Sequence, residues 1–137
     1  MAPTDETVPT VRVLAAVIVR EGRYLVCRRP PHKRHGGLWE FPGGKLEGTE
    51  TDADAARREL HEELGVHVTA VGEALLRVHD EGSPFTIAFV PVTVEGDPAC
   101  LEHTALAWVT REELTHYALA PSDATFVAWL ADAAGNR

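Results

Sequence analysis

The run Val11–Arg20 is rich in Val, Ile and Ala, and that β-branched content predicts a buried strand. Glu21-Gly22 reads as a turn and Tyr24–Arg28 as a returning strand, so the two runs form a hairpin. From Arg29 to Gly37 prolines, glycines and basic residues break the apolar pattern, which predicts a loop. Leu38–Phe41 is then a short extended piece ahead of Pro42-Gly43-Gly44. The helical period is clearest over Thr49–Leu64. Ala53, Ala56, Leu60 and Leu64 recur at helical spacing as a core face, Thr49 or Thr51 caps the start, acidic residues fill the first turn, and Gly65 ends it. Val66–His79 and Phe85–Val94 read as strands around an Asp80–Pro84 turn. Gly96-Asp97-Pro98 is a loop, Ala105–Val109 a short strand, and Thr110 opens a short helix. Pro121–Ala134 is a closing helix with Phe126, Leu130 and Ala133 on one side. Strands and helices alternate irregularly, without repeats or a linker, so the pattern predicts a mixed sheet between helices. Residues 1–9 read as a flexible tail ahead of a single domain, 10–137.

Composition narrows the partners. A chain of 137 residues with 45% hydrophobic and 25% charged residues supports one core. The formal net charge of −8 speaks against holding a nucleic-acid polymer, which requires neutralised phosphates. A small polyphosphate remains compatible if divalent metal ions lie between it and the protein. Val11 to Val19 is too short an apolar run to cross a bilayer, and no basic leader precedes it. Cys27 and Cys100 form no CxxC and read as two buried free thiols, which fits a reducing compartment. A soluble, cytoplasmic protein is expected.

The chemistry concentrates between Gly44 and Val66. Glu59, Glu62 and Glu63 stand at i, i+3 and i+4, so they share one flank of the helix beside its apolar face, where half-burial is expected. Three anions this close repel one another, and an oxygen-rich site of this kind suits Mg²⁺, or Mn²⁺. Pro42-Gly43-Gly44 leaves the backbone bare for close approach to a metal ion or a phosphate. Taken alone, glutamates on a helix flank are commonly just solvated.

The wider spacing decides the matter. The chain reads G-x5-E-x7-R-E-U-x-E-E-x-G-U, with U a bulky aliphatic, at Gly44, Glu50, Arg58, Glu59, Leu60, Glu62, Glu63, Gly65 and Val66. A chance match is on the order of 10⁻⁶ or rarer. The run resembles the Nudix box. Arg28-Arg29, the stretch Leu38 to Lys45, Glu102 to Trp108 and Ala120 to Asp123 are similar to MutT-like nucleoside triphosphate pyrophosphohydrolases.

This resemblance implies an α/β/α sandwich with a mixed β-sheet. It implies a metal site built from Glu59, Glu62, Glu63 and the Gly43 carbonyl, with Glu102 as a further ligand or as general base; Glu59 is the other candidate for the base. Gly44, Glu50 and Arg58 would hold the box together, and Arg29 and Lys45 would contact phosphates. The implied reaction is attack of water at phosphorus, releasing a nucleoside monophosphate and pyrophosphate from a small nucleotide, in a monomer or homodimer. Asp123 falls where MutT-like enzymes read the base. The member specific for 8-oxoguanine has Asn there, and some relatives that hydrolyse cytidine triphosphate have Asp. An ionised Asp accepts hydrogen bonds only and suits an amino group such as that of cytosine, whereas a protonated or suitably placed Asp still suits an oxidised purine, so the substrate expected is 8-oxo-dGTP or a cytidine-type nucleotide. The plainer reading of Asp123 is a helix cap. Phe41, Tyr24 and Phe85 are more readily core residues than base stackers. His103, beside Glu102, can touch the site. The basic loop around His32, Lys33, Arg34 and His35 either meets a triphosphate or is solvated. Other readings are a Nudix hydrolase of a nucleotide sugar, ADP-ribose or dinucleotide, and a binding module without catalysis, which the unbroken box disfavours.

Overall fold

A computed structural model describes residues 10–135, so the expected tail over residues 1–9 lies outside the described residues. Its elements are β1 (Val11–Val17), β2 (Val19–Arg20), β3 (Arg23–Arg28), β4 (Trp39–Glu40), β5 (Gly43–Lys45), α1 (Asp52–Leu64), β6 (His67–Val71), β7 (Leu76–His79), β8 (Phe85–Glu95), β9 (Ala105–Val109), α2 (Arg111–Leu114) and α3 (Pro121–Gly135). β1 lies between β5, antiparallel to it, and β8, parallel to it; β6 and β7 pair antiparallel with β8. The second sheet is antiparallel, with β3 joining β2, β4 and β9.

The apolar run expected as one strand is divided at Ile18. Val11–Val17 pairs in the first sheet, whereas Val19–Arg20 turns back into the second through Glu21 and Gly22, both at positive φ, as a two-residue hairpin turn requires. The expected Val66–His79 strand is likewise two strands. β6 ends at Val71 opposite Val92; the Gly72 N–H still donates to the Pro91 carbonyl at 2.9 Å, but Pro91 has no N–H to return, and pairing with β8 resumes at Leu76.

Strand alternation explains the layers. Leu14, Ala16 and Ile18, with Ala88, Val90, Val92 and Val94 of β8, meet Ala56, Leu60 and Leu64 of α1 on one face. Ala15, Val17, Val26 and Phe89 meet Leu114 of α2 and Phe126 and Val127 of α3 on the other. The result is a mixed-sheet α/β/α architecture, as the sequence pattern and the box resemblance lead one to expect. α1 starts at a capping box, Thr51 with Asp54, and ends at Gly65 in the left-handed conformation. Ala55 is buried and Ala53 is half-exposed, so the core face is turned slightly from the expected one. Cys27 is buried and Cys100 is exposed. The expectation of two buried thiols therefore fails for Cys100, which lies on the β8–β9 loop outside both cores.

Candidate active site

The loop leading into α1 is fastened by one arginine. Arg58 donates from Nε and Nη2 to the two oxygens of Glu50, each at 2.8 Å, and from Nη2 to the Lys45 carbonyl at 3.0 Å. Its Nη1 reaches Glu59 at 2.7 Å. Glu50 also accepts from the Glu47 N–H at 2.7 Å, closing the turn. The Arg58 hydrogen bonds, then that N–H, hold Glu50 down at about 2. Replacing Arg58 by Ala should therefore lower the melting temperature and reduce kcat about tenfold, because Glu59 loses its lateral support. The stability deficit against the parent should shrink as pH falls from 4.5 through about 2, below which Glu50 is protonated in both states; thermal melts at stepped pH read it.

The three box carboxylates do not share one environment. Glu63 is buried, the Glu59 side chain is 14% exposed, and the Glu62 side chain is 50% exposed with its carboxylate 3.9 Å from Arg58. The flank expected to be uniformly half-buried is thus graded, because α1 turns Glu62 away from the sheet. Glu63 accepts from the Gly43 N–H at 3.4 Å. Burial first, then contact with Glu59 and the charges of Glu40 and Glu102, pushes Glu63 up to about 10.

The bare backbone is necessary here. A Cβ at Gly44 would run into the Glu59 carboxylate, and one at Gly43 into the Leu14 carbonyl. An all-oxygen donor set packed on glycine, with the single Arg58 guanidinium shared among Glu50, Glu59 and Glu62, fits a hard divalent cation. Among the described residues, no three acidic, His or Cys side chains converge as a finished cage. Mg²⁺ in particular commonly completes its shell with water and substrate oxygens.

These groups open into a cleft of about 450 Å³ that also reaches Lys45, Glu102 and Asp123. Lys45 holds its ammonium over the Phe85 ring, 5.1 Å from the centroid. Glu102 is exposed on the β8–β9 loop. Arg29 lines the cleft, but its guanidinium is engaged by Glu40 at 2.8 Å and by the Arg34 carbonyl at 2.6 Å. Asp123 is buried as the third residue of α3, inside the helix and not at the cap position expected, and it accepts the Phe41 N–H at 2.9 Å, tying α3 to the strand before Pro42. Burial, above all, pushes Asp123 up to about 8; Glu40 adds to this, while the Phe41 N–H and Arg29 oppose it. Of the two forms expected, ionised and protonated, this upward shift favours the protonated one. Phe41 lies in the core edge-on to Phe89 and Phe126. Of the basic loop, Lys33, Arg34 and His35 reach the cleft, and Arg34 pairs with Asp80 at 3.2 Å.

Glu40 also lines the cleft, a position that the sequence did not single out. It sits between Arg29 and His103, whose Nε2 lies 3.0 Å from it. The available signal was a lone glutamate between two aromatics, Trp39 and Phe41, on a short extended piece.

Comparison with known proteins gives a consistent result. The NUDIX domain family model matches residues 8–130. The CTP pyrophosphohydrolase of Escherichia coli strain K12 is 41% identical over 116 residues, covering 82% of this chain and 85% of that protein. A putative 8-oxo-dGTP diphosphatase 2 of Mycobacterium tuberculosis is 39% identical over 128 residues, covering 89% and 86%. Among solved structures, the E. coli ORF135 protein superposes with a TM-score of 0.81 at 36% identity, covering 96% of each chain. A MutT NUDIX hydrolase from Burkholderia pseudomallei gives 0.77 at 28% identity, covering 87% of this chain and 96% of that one. A family match over most of the chain, on the fold and the box described above, places this protein in the NUDIX domain family as a Nudix hydrolase.

Proposed function

We propose that this protein hydrolyses a nucleoside triphosphate to the monophosphate and pyrophosphate, with Mg²⁺ (or Mn²⁺) as its metal ion, and that its preferred base is of the cytidine type. Nudix hydrolases act on small nucleotide substrates and generally use divalent metal ions. The observation that carries the reading is the placement of Glu59 and Glu63 against bare Gly43-Gly44 in the same cleft as Lys45 and Asp123. The names of the E. coli and M. tuberculosis relatives support the triphosphate class.

Glu59, Glu62, Glu63, Glu102 and the Gly43 carbonyl would hold the metal. Bound there, a divalent ion supplies neutralisation of phosphate oxygens and a lowered pKa for the attacking water. Glu59 or Glu102 takes the proton from that water as its oxygen bonds to phosphorus and the bridging P–O bond breaks. Lys45 offers a point charge to the departing phosphates. Arg29, already paired with Glu40, contributes by fixing that carboxylate unless a phosphate draws it away. Asp123, as a neutral acid, presents an acceptor beside a donor, matching the amino group and ring nitrogen of cytosine. Gly44, Glu50 and Arg58 keep the loop and helix in register. We further read residues 10–137 as one domain acting in the cytoplasm, as a monomer or homodimer. Among the described residues, no helix is long and apolar enough to cross a membrane.

Product analysis with Mg²⁺ tests this. On a panel of dCTP, 5-methyl-dCTP, dGTP, 8-oxo-dGTP, ADP-ribose and a nucleotide sugar, monophosphate and pyrophosphate should appear fastest from a cytidine triphosphate. Hydrolysis confined to ADP-ribose or the nucleotide sugar would discard the triphosphate reading and keep the family chemistry.

A further inference from the structure

We propose that His103 is a positioning residue: seated between Glu40 and Glu63, it holds the Glu63 carboxylate and the Glu102-bearing loop in register with α1. This rests on the metal-dependent hydrolysis proposed above, whose ligands it would set.

The β8–β9 loop is fastened to α1 through its backbone. The Ala99 N–H donates to the Leu64 carbonyl at 3.0 Å and the Leu101 N–H to the Glu63 carbonyl at 3.1 Å, so the loop meets carbonyls at the C-terminal end of the helix. The Thr104 N–H donates to the Arg28 carbonyl at 3.1 Å. Between these ties Glu102 is exposed, whereas the neighbouring His103 side chain is only 5% exposed. Its Nε2 lies 3.0 Å from Glu40 Oε2 and 4.0 Å from Glu63 Oε1. A carboxylate accepts, so Nε2 donates, and Glu40 is itself held from the far side by Arg29 at 2.8 Å. The ring therefore bonds the loop to β4 and lies alongside the Glu63 carboxylate of α1 at 4.0 Å, beyond hydrogen-bond reach.

A second observation sets His103 apart from an ordinary core histidine. Its Nδ1 is buried without a hydrogen-bond partner among the described residues. An orphaned buried nitrogen costs stability. A residue kept only for packing is better replaced by an apolar one, whereas a residue kept to hold carboxylates tolerates the orphan. The expected signature is lost function without lost stability. Groups that orient metal ligands typically change metal affinity or activity by about 10- to 100-fold when removed.

The test compares His103→Leu and His103→Gln in the full chain, measuring kcat, KM, melting temperature and Mn²⁺ affinity by electron paramagnetic resonance. In Gln the side-chain amide stands near the ring Nε2 and can still donate to Glu40. His103→Leu should lose at least about tenfold in kcat and weaken Mn²⁺ by a similar factor, with KM within about threefold and no drop in melting temperature. His103→Gln should recover most of both. If the Leu variant does not fold, His103→Asn takes its place. Its amide stands near Nδ1 and falls short of Glu40, so it should lose function where Gln keeps it. Parent-like kcat and Mn²⁺ affinity in the Leu or Asn variant, or a Gln variant as impaired as either, would overturn the assignment. A parent that turns over no nucleotide would overturn the proposed function instead, and the Mn²⁺ affinities would still decide the role of His103.

Discussion

Glu63→Gln should lower kcat by about 10³-fold while leaving the fold intact, because about 4 kcal/mol of metal-borne stabilisation of the transition state disappears with the ligand charge. Gln keeps the volume of Glu, and its carbonyl can still accept the Gly43 N–H. Stability should hold or rise. Burial and the neighbouring carboxylates raise Glu63 from 4.5 to about 10, so the folded chain holds a proton there that the unfolded chain gives up. That contribution is complete below pH 4.5 and is lost as pH rises towards about 10. The Gln variant lacks the loss, so its advantage in a thermal melt should grow from neutral to alkaline pH. Metal affinity runs the opposite way. A cation landing on Glu63 displaces a proton, so parent affinity should rise by up to about tenfold per pH unit below that value, and the Gln variant should lose this slope. Near-normal turnover by Glu63→Gln would remove Glu63 from the metal site, and Glu62→Gln is the companion variant with the same expected direction.

At the other end of the cleft, Asp123→Ala and Asp123→Asn should part company. The Ala variant should lose about 100-fold in kcat/KM on a cytidine triphosphate, since a base edge that expects a partner finds none. It should also lose about 1–3 kcal/mol in stability, because the buried Phe41 N–H is left without its acceptor. Asn presents an acceptor beside a donor, as the neutral acid does, so it should keep the Phe41 bond and most of the turnover. The pH profile separates the two acceptable residues. Parent KM should rise as pH passes about 8 and Asp123 ionises between Glu40, which opposes the charge, and Arg29, which favours it; the Asn variant should stay flat. The same raised value means that Asp123 costs the fold stability as pH climbs from 3.8 towards about 8, and Asn should remove that cost. A parent KM that does not move between pH 7 and 9 would show that Asp123 meets the base as an ion or not at all.

Local physics made much of this protein readable from its sequence. The helix over Asp52–Leu64, its cap at Thr51 and its stop at Gly65 follow from propensity and capping, which act within a few residues. The Glu50–Arg58 pair sits where the box resemblance put it, because loop and helix adjoin in sequence as well as in space. What sequence could not supply depends on partners brought from far along the chain. The division at Ile18 arises because β1 and β2 answer to different sheets. The break near Gly72 depends on Pro91 across the ladder. Glu40 meets His103, and Arg29 meets Glu40, only when the chain is folded, because their positions lie 63 and 11 residues apart. The upward shift of Asp123 likewise comes from its burial, not from its residue type.

The parallel pairing of β1 with β8, Val11 against Phe85, bears on the order in which the chain can assemble. During vectorial synthesis the first strand and the glutamate-bearing helix leave the ribosome well before the strand that completes the central sheet. Until β8 arrives, the apolar stripe of Ala56, Leu60 and Leu64 has only part of its cover, and His103 has not yet been made. Non-local pairing of this kind is slow and leaves hydrophobic surface open to wrong partners. The carboxylate cluster, encoded in the first half of the chain, therefore cannot acquire its full burial until β8 and the loop that follows it have been made.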